Sequence, residues 1–443
     1  MGKVKVHAGN PLGDLRAEAD HNMLDRAFYE TADYLSLIES SDKTVVVGRR
    51  GAGKSALAYQ LGKHWHDVPK TRVVSVSLEE AQVIGVGPLA ELFGGTYRLI
   101  RAGCALAWRY CLLMEIALGL SPNYKFGKAP GSEILEQRLV DWRKRGPNAV
   151  TRLRRSLKAI LDQDDAPANQ VAELADSLSL PDVESALQSV LDFLDFTCIL
   201  LVDRLDEGYE PTEAGVGFVD GAVSAAIHMN QRFEFVWPTL FLRDNMFRTI
   251  ARWNPDYSRN IEGQVLHLHW KEYDLMNMVC NRLRVAFDIP QESTTKVWNH
   301  CVDRELAGKA GFRRCLRLTL YRPRDILVLL NEAFHEALRQ DREQIMLADV
   351  AASAKAISLN RLDDLHKEYS AILPGLDYLT TAFANRTPEV TLRDATALLT
   401  PVLSSSAYTS RVQQNFAILA NPIDVLRALY GVGFVAGIKA MAA

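Results

Sequence analysis

The chain has 443 residues, with 51 Lys+Arg against 54 Asp+Glu, 48% hydrophobic and 24% charged residues, and a formal net charge of -3. At about 100–200 residues per domain this length predicts two to four domains, and the apolar fraction excludes disordered and fibrous classes. The near-neutral charge excludes a uniformly basic nucleic-acid binder while allowing local basic patches. No run of 18 or more apolar residues predicts a membrane span, and the polar first twenty residues lack the apolar region of a secretory signal.

Residues 1–42 read as a polar, then helical lead-in, ending in LDRAFYETADYLSLIES. Thr44 to Val47 is a β-branched run closed by Gly48, the pattern of a buried strand. A helical pattern follows from Lys54 to about Trp65. TRVVSVSL (71–78) is a second strand, and 96–119 form a long apolar segment expected to be a buried helix. Residues 120–181 contain SPNYKFGKAPGS, a basic stretch and DQDDAPANQ, and are expected to be an insertion, partly loop. The helix DVESALQSVLDFLDF leads into CILLVD (198–203), and FEFVWPTLFL (233–242) and QVLHLHW (264–270) complete five strands. Short apolar strands alternating with helices predict a parallel sheet covered on both faces. Beyond Trp270 the strand signal fades into helical patterns. The expected domains are therefore 1–42 as the lead-in, 43–270 as an α/β core, 271–345 as a helical lid, and 346–443 as a mainly helical region.

Six cysteines, at 104, 111, 198, 280, 301 and 315, form no CxxC pair and read as reduced, buried thiols of a cytoplasmic protein. Two H-x-H pairs, His64/His66 and His267/His269, have no acidic or Cys partner at metal spacing, so structural histidines are expected.

Gly48-Arg49-Arg50-Gly51-Ala52-Gly53-Lys54-Ser55 fits G-x-x-x-x-G-K-[ST], after a strand and opening a helix, the context such a motif demands. The glycines let backbone N–H groups turn inward onto phosphate oxygens, and the helix N-terminus adds its positive dipole end, where Ala56 follows. Lys54 would reach the β- and γ-phosphates and the Ser55 hydroxyl would ligate Mg²⁺. A second acidic element closes the CILLVD strand: Asp203-Arg204-Leu205-Asp206-Glu207. An Asp at the C-terminal end of a parallel strand faces the ligand crevice, so Asp203 is the candidate Mg²⁺ ligand, and Asp206 or Glu207 the residue orienting water. No guanine-reading N-K-x-D follows a strand, which favours ATP.

Together these motifs resemble the additional-strand P-loop ATPases, the group of AAA+ and STAND proteins. D-x-x-D-E is similar to the NACHT and KAP branches, with Arg204 where those carry a small residue. Within the resemblance, Leu242-Arg243-Asp244 looks like a sensor-1-type strand end, and Tyr321-Arg322-Pro323-Arg324-Asp325 opens a helix where sensor-2 arginines sit. FYETADYL and YRPRDILVLLN resemble the FunZ-type P-loop ATPases linked to phage defence or mobile elements, and ALYGVGF looks like the last helix of their winged-helix-like C-terminal region. Arginine supplies permanent charge for a γ-phosphate, so Arg243 and at least one of Arg322 and Arg324 are expected to act on nucleotide, the alternative being surface ion pairs such as Arg243 with Asp244 or Arg324 with Asp325.

Two basic runs, 141–160 and 309–324, are candidate phosphate-backbone surfaces, although aromatic residues are not interleaved as a stacking platform requires. The expected protein is thus a P-loop NTPase core with a parallel five-stranded sheet, a helical lid and a winged-helix-like, mainly α C-terminal region. It would be an Mg²⁺-dependent ATPase switch, acting in an oligomer or with a protein effector. The alternative is a DNA- or RNA-dependent ATPase.

Overall fold

The structure, a computed structural model, describes residues 10–78, 87–94, 96–161, 166–205, 212–290, 292–387, 389–419 and 421–435. The chain divides into two compact units, one of residues 30–269 and one of residues 1–29 with 270–443.

The first unit is built on a parallel five-stranded sheet. Its strands are β1 (Val45–Gly48), β2 (Thr71–Ser77), β3 (Thr197–Asp203), β4 (Val236–Arg243) and β5 (Val265–His267), in the order β2-β3-β4-β1-β5. All five predicted strands are present. β4 lies between β1 and β3, the additional strand that the resemblance implies. Every residue of β1 is buried, while β2, at the edge, alternates buried with more exposed positions, as strands covered on both faces and edge strands respectively should.

Helices cover both faces, and glycine contacts show which helix lies where. A Cβ on Gly62 of the Lys54–His66 helix would touch Leu201 and Val73, whereas one on Gly119 of the Tyr97–Leu120 helix would press on Val74. Val73 and Val74 are consecutive strand residues and point to opposite faces. The Tyr97–Leu120 helix is long and apolar enough to cross a membrane, yet most of its apolar window is buried inside the protein. It packs against the Glu213–Arg232 helix, where Gly217 and Gly221 let the backbones approach.

The region expected to be an insertion, partly loop, has turns over 121–131 and three helices. Among the described residues it forms the Ser132–Lys144, Ala149–Lys158 and Pro167–Ser177 helices. Their apolar faces (Leu135, Leu139, Trp142, Leu153, Leu157, Leu174) join the main core of this unit. The turn-rich composition of 120–131 drew attention away from the helical spacing of Leu135, Leu139 and Trp142 that follows it.

The second unit is helical. Its larger core gathers Leu275, Val279, Leu283, Trp298, Phe312, Leu330 and Phe334, and a smaller core gathers Tyr369, Leu376, Leu399, Phe416 and Leu429. The segment before residue 30 is fastened here. Arg282 pairs with Asp20 at 2.8 Å and donates to the Leu12 carbonyl, and Leu12 N donates to Asn331. From 346 to 443 the described residues form helices, with no strand pair among them to serve as a wing.

All six cysteines are buried and unbridged. Burial pushes the thiols of Cys198, Cys280, Cys301 and Cys315 up to about 12, far from thiolate reactivity. His64 lies edge-on to Trp65 and Tyr34, and His267 edge-on to Phe247.

Candidate functional site

The glycine-rich turn joins β1 to the Lys54–His66 helix. Gly51 (φ +80°) and Gly53 (φ +94°) both adopt the left-handed region, which glycine enters without the Cβ penalty of other residues. Gly48 is enclosed: a Cβ there would stand 3.1 Å from Leu268, 3.3 Å from Ala52 and 3.4 Å from the Lys54 stem. Ala52 N donates to the Arg49 carbonyl at 3.1 Å, closing the turn, and Leu57 N to Gly53 O at 2.9 Å makes the first helical bond. The N–H groups before that bond belong to a helix N-terminus, which carries partial positive charge.

Lys54 is buried, and its ammonium donates to the carbonyls of Gly48 (2.8 Å) and Arg49 (3.3 Å). Two carbonyls of its own loop thus accept from this cation, and a phosphate oxygen in their place would add the attraction of opposite charges. Ser55 and Ala56 follow in the first helical turn, half-buried, while Arg50 is exposed and Arg49 half-buried.

The sheet brings two further predicted residues to the same edge. Arg243 ends β4 as the in-register partner of Gly48, and Asp203 ends β3 one step beyond the Val202↔Leu240 pair. In a parallel sheet these strand ends open onto one crevice. Arg204 takes φ +64°, so the chain turns sharply after Asp203 through a conformation that favours small residues. This accounts for the small residue that the related pattern carries at that place. Asp206 and Glu207 lie outside the described residues. Among the described residues no cluster of three His, Cys, Asp or Glu forms a preassembled metal site. Ser55 and Asp203 instead offer single oxygens, a donor set that suits Mg²⁺, which takes one or two side-chain oxygens and completes its shell with water and substrate phosphates.

The remaining predicted arginines belong to the helical unit. Arg322, the residue before the Pro323–Arg339 helix, is buried and pairs with Glu368 at 3.8 Å. Arg361 holds Asp325 at 3.1 Å in the same group. Burial pushes the Asp325 carboxyl up, and Arg322 and Arg361 only partly offset it. Arg324 is half-buried in the first helical turn.

In the 141–160 run, Arg152 pairs with Glu115 at 2.7 Å, and Arg145 and Arg155 exchange hydrogen bonds with each other's carbonyls. Trp142, the aromatic residue of that run, is buried and donates to Glu115. Part of this basic stretch therefore holds its own helices together.

The sequence reading missed one polar centre. Asp220, wholly buried in the Glu213–Arg232 helix, accepts on one carboxylate oxygen from Tyr97 Oη and from Arg101 Nε at 2.7 Å. Its signal in the sequence is a lone acid in the apolar run GFVDGAVSAA.

The strand order, the left-handed glycine turn and the acid-ended β3 define a P-loop NTPase fold of the additional-strand class. A family model described as the FunZ-associated C-terminal helical domain matches residues 273–366. The chain is 41% identical over 433 residues to a protein of 80.3 kDa assigned to transposon gamma-delta in Escherichia coli (strain K12), covering 96% of this chain and 61% of that relative. It is also 49% identical over 152 residues to the allergen Alt a 2 of Alternaria alternata, covering 34% of this chain and 80% of that one. Residues 273–366 of this chain thus resemble the FunZ-associated C-terminal helical domain. The chain spans about three fifths of the length of the transposon relative. Among solved structures, the ORC2 protein of Aeropyrum pernix aligns over 87% of this chain and 76% of its own, with a TM-score of 0.31 and 14% identity. Cdc6p of Pyrobaculum aerophilum aligns over 89% and 87%, with a TM-score of 0.30 and 13% identity.

Proposed function

We propose that the chain binds ATP with Mg²⁺ and hydrolyses it as a nucleotide-controlled switch, acting with a protein effector or further copies of itself in a regulatory or defence complex of a mobile element, in the cytoplasm. One observation carries the reading: Lys54 Nζ is drawn inside a turn whose glycines, Gly51 and Gly53, stand in the left-handed region. The similarity to a transposon-assigned protein supports the mobile-element setting.

In this reading backbone N–H groups of the turn and of the helix start wrap the phosphates, and Lys54 turns its ammonium to the phosphate oxygens. Ser55 and Asp203 hold the Mg²⁺, which neutralises phosphate charge when bound. Asp206 or Glu207 positions the attacking water in line with the leaving oxygen. Arg243, at the strand end beside the turn, stabilises the charge that develops on the transferred phosphoryl group. Arg322 and Arg324 report the nucleotide state to the helical region.

A nucleic-acid-dependent ATPase is the second reading. Exposed Arg143, Lys144 and Lys158 in one run, and Arg314 and Arg317 in the other, favour it. It requires turnover stimulated by DNA or RNA that weakens steeply with salt.

The test is titration calorimetry of Lys54→Ala with ATP and Mg²⁺. Loss of detectable binding, with an unchanged unfolding midpoint, is expected. Wild-type affinity in that variant removes the proposal.

A further inference from the structure

A cavity of about 450 Å³ lies between the start of the Tyr97–Leu120 helix and the end of the Asp244–Trp253 helix, walled by Tyr97, Arg98, Arg101, Trp253, Asn254 and Asn260. That volume falls in the range of about 300–1,000 Å³ typical of small-ligand sites. None of these residues belongs to the glycine-rich turn, so the cavity is a separate place and does not rest on the ATP reading.

Its walls combine three kinds of group. The first is a flat aromatic surface. Trp253 is 43% exposed, and its ring lies 5.3 Å from that of Tyr97, tilted by 37°. An indole already held by a second ring offers a stacking face with little left to order on binding. The second is positive charge. Arg98 is exposed, Arg101 is fixed on Asp220 and on Ser224 at 2.7 Å, and exposed Arg252 and Arg259 flank the wall in sequence. Asp256 is the single acid among the described lining residues. The third is amide chemistry: Asn254 and Asn260 each offer donors and an acceptor, the complement of a heterocycle edge.

Asp220 explains why the walls hold their shape. One carboxylate with no exposed surface anchors Tyr97 and Arg101, two of the wall residues. The bonds that Tyr97 and Arg101 make to this buried acid point those two side chains in fixed directions before any ligand arrives.

We propose that this cavity binds a nucleobase together with its attached phosphate, supplied by a single-stranded nucleic acid or by a free nucleotide. The base stacks on Trp253, its edge meets the asparagines, and Arg98 takes the phosphate. The two arginines disfavour a cationic peptide as occupant.

The experiment uses the full chain carrying Lys54→Ala, so that the glycine-rich turn does not contribute, with wild type alongside. The probes are fluorescein-labelled dT12, followed by anisotropy, and dAMP, followed by tryptophan quenching. Both backgrounds should bind at least one probe alike. Trp253→Ala should weaken that binding about tenfold or more, Trp253→Phe should restore most of it, and Arg98→Ala should flatten the salt slope by about one. Tight dT12 with weak dAMP identifies a strand as the source, and equal affinity identifies a free nucleotide. Should Trp253→Ala fail to fold, Trp253→Phe and Arg98→Ala carry the test. Binding unchanged within twofold in every variant, or no binding of either probe to the wild-type chain, overturns the proposal.

Discussion

Gly48, where the glycine-rich turn begins, is the parallel in-register partner of Arg243, the last residue of β4. Two positions almost two hundred residues apart in the chain thereby share one point on the sheet edge. A guanidinium fixed there costs no reorganisation when charge develops on a phosphoryl group. Arg243→Ala should slow single-turnover ATP hydrolysis by roughly a thousandfold while changing ATP affinity much less. Arg243→Lys should restore little, because a single ammonium lacks the planar fork. A wild-type single-turnover rate in Arg243→Ala would remove the arginine from the chemistry.

The packing of the Tyr97–Leu120 and Glu213–Arg232 helices depends on Gly221. A Cβ there would fall 2.6 Å from Cys104 Cβ, 2.8 Å from its carbonyl carbon and 2.9 Å from Ala105 N. Two of those atoms are backbone and cannot swing aside. Gly221→Ala should cost about 2–3 kcal/mol by overpacking, read from urea unfolding. A midpoint equal to wild type would show that the helices separate freely.

Arg342 grips Asp349 with two N–H groups, at 2.7 and 2.6 Å, and Met346 N adds a third bond at 2.8 Å. Burial alone raises this carboxyl, but the bonds more than offset it and hold it below its ordinary value of 3.8. A depressed folded value means that the stabilisation is complete above the unfolded value and is lost as pH falls through the folded one. Asp349→Ala should therefore cost about 2 kcal/mol near neutrality, with a gap from wild type that stays flat above about pH 5 and closes below about pH 4. A gap that widened on acidification would contradict the assignment.

Arg322 and Glu368 are buried together, with side chains 8% and 1% exposed. Removing Glu368 takes a buried counter-charge from Arg322, so Glu368→Ala should lose about 3 kcal/mol, whereas Arg322→Met with Glu368→Leu should recover most of it. The double variant then separates two roles for Arg322. A folded protein that binds ATP but no longer changes its protease-protection pattern on binding marks Arg322 as the reporter of nucleotide state. An unaltered response in that variant assigns it to the fold alone.

Much of the first unit was legible because its signals are short-range. Four to eight apolar residues bounded by turns announce a buried strand, and G-x-x-x-x-G-K-S between a strand and a helix announces its own turn. The helices of 120–181 were only partly read, because the turn-rich 120–131 drew attention away from the helical spacing of Leu135, Leu139 and Trp142. Asp220 was overlooked for a different reason. A single acid in an apolar helix has no meaning until Tyr97 and Arg101 converge on it.

The amino-acid order by itself determined the phosphate-type turn, the five strands and the acid after the third, since each depends on neighbours a few positions away. Tertiary structure alone decided that β4 enters between β1 and β3, bringing Arg243 beside Gly48, and that Arg322 meets Glu368. Those pairings join residues far apart in the chain, and they are chosen by strand order and by which helix faces can bury one another. Neither is written in local spacing.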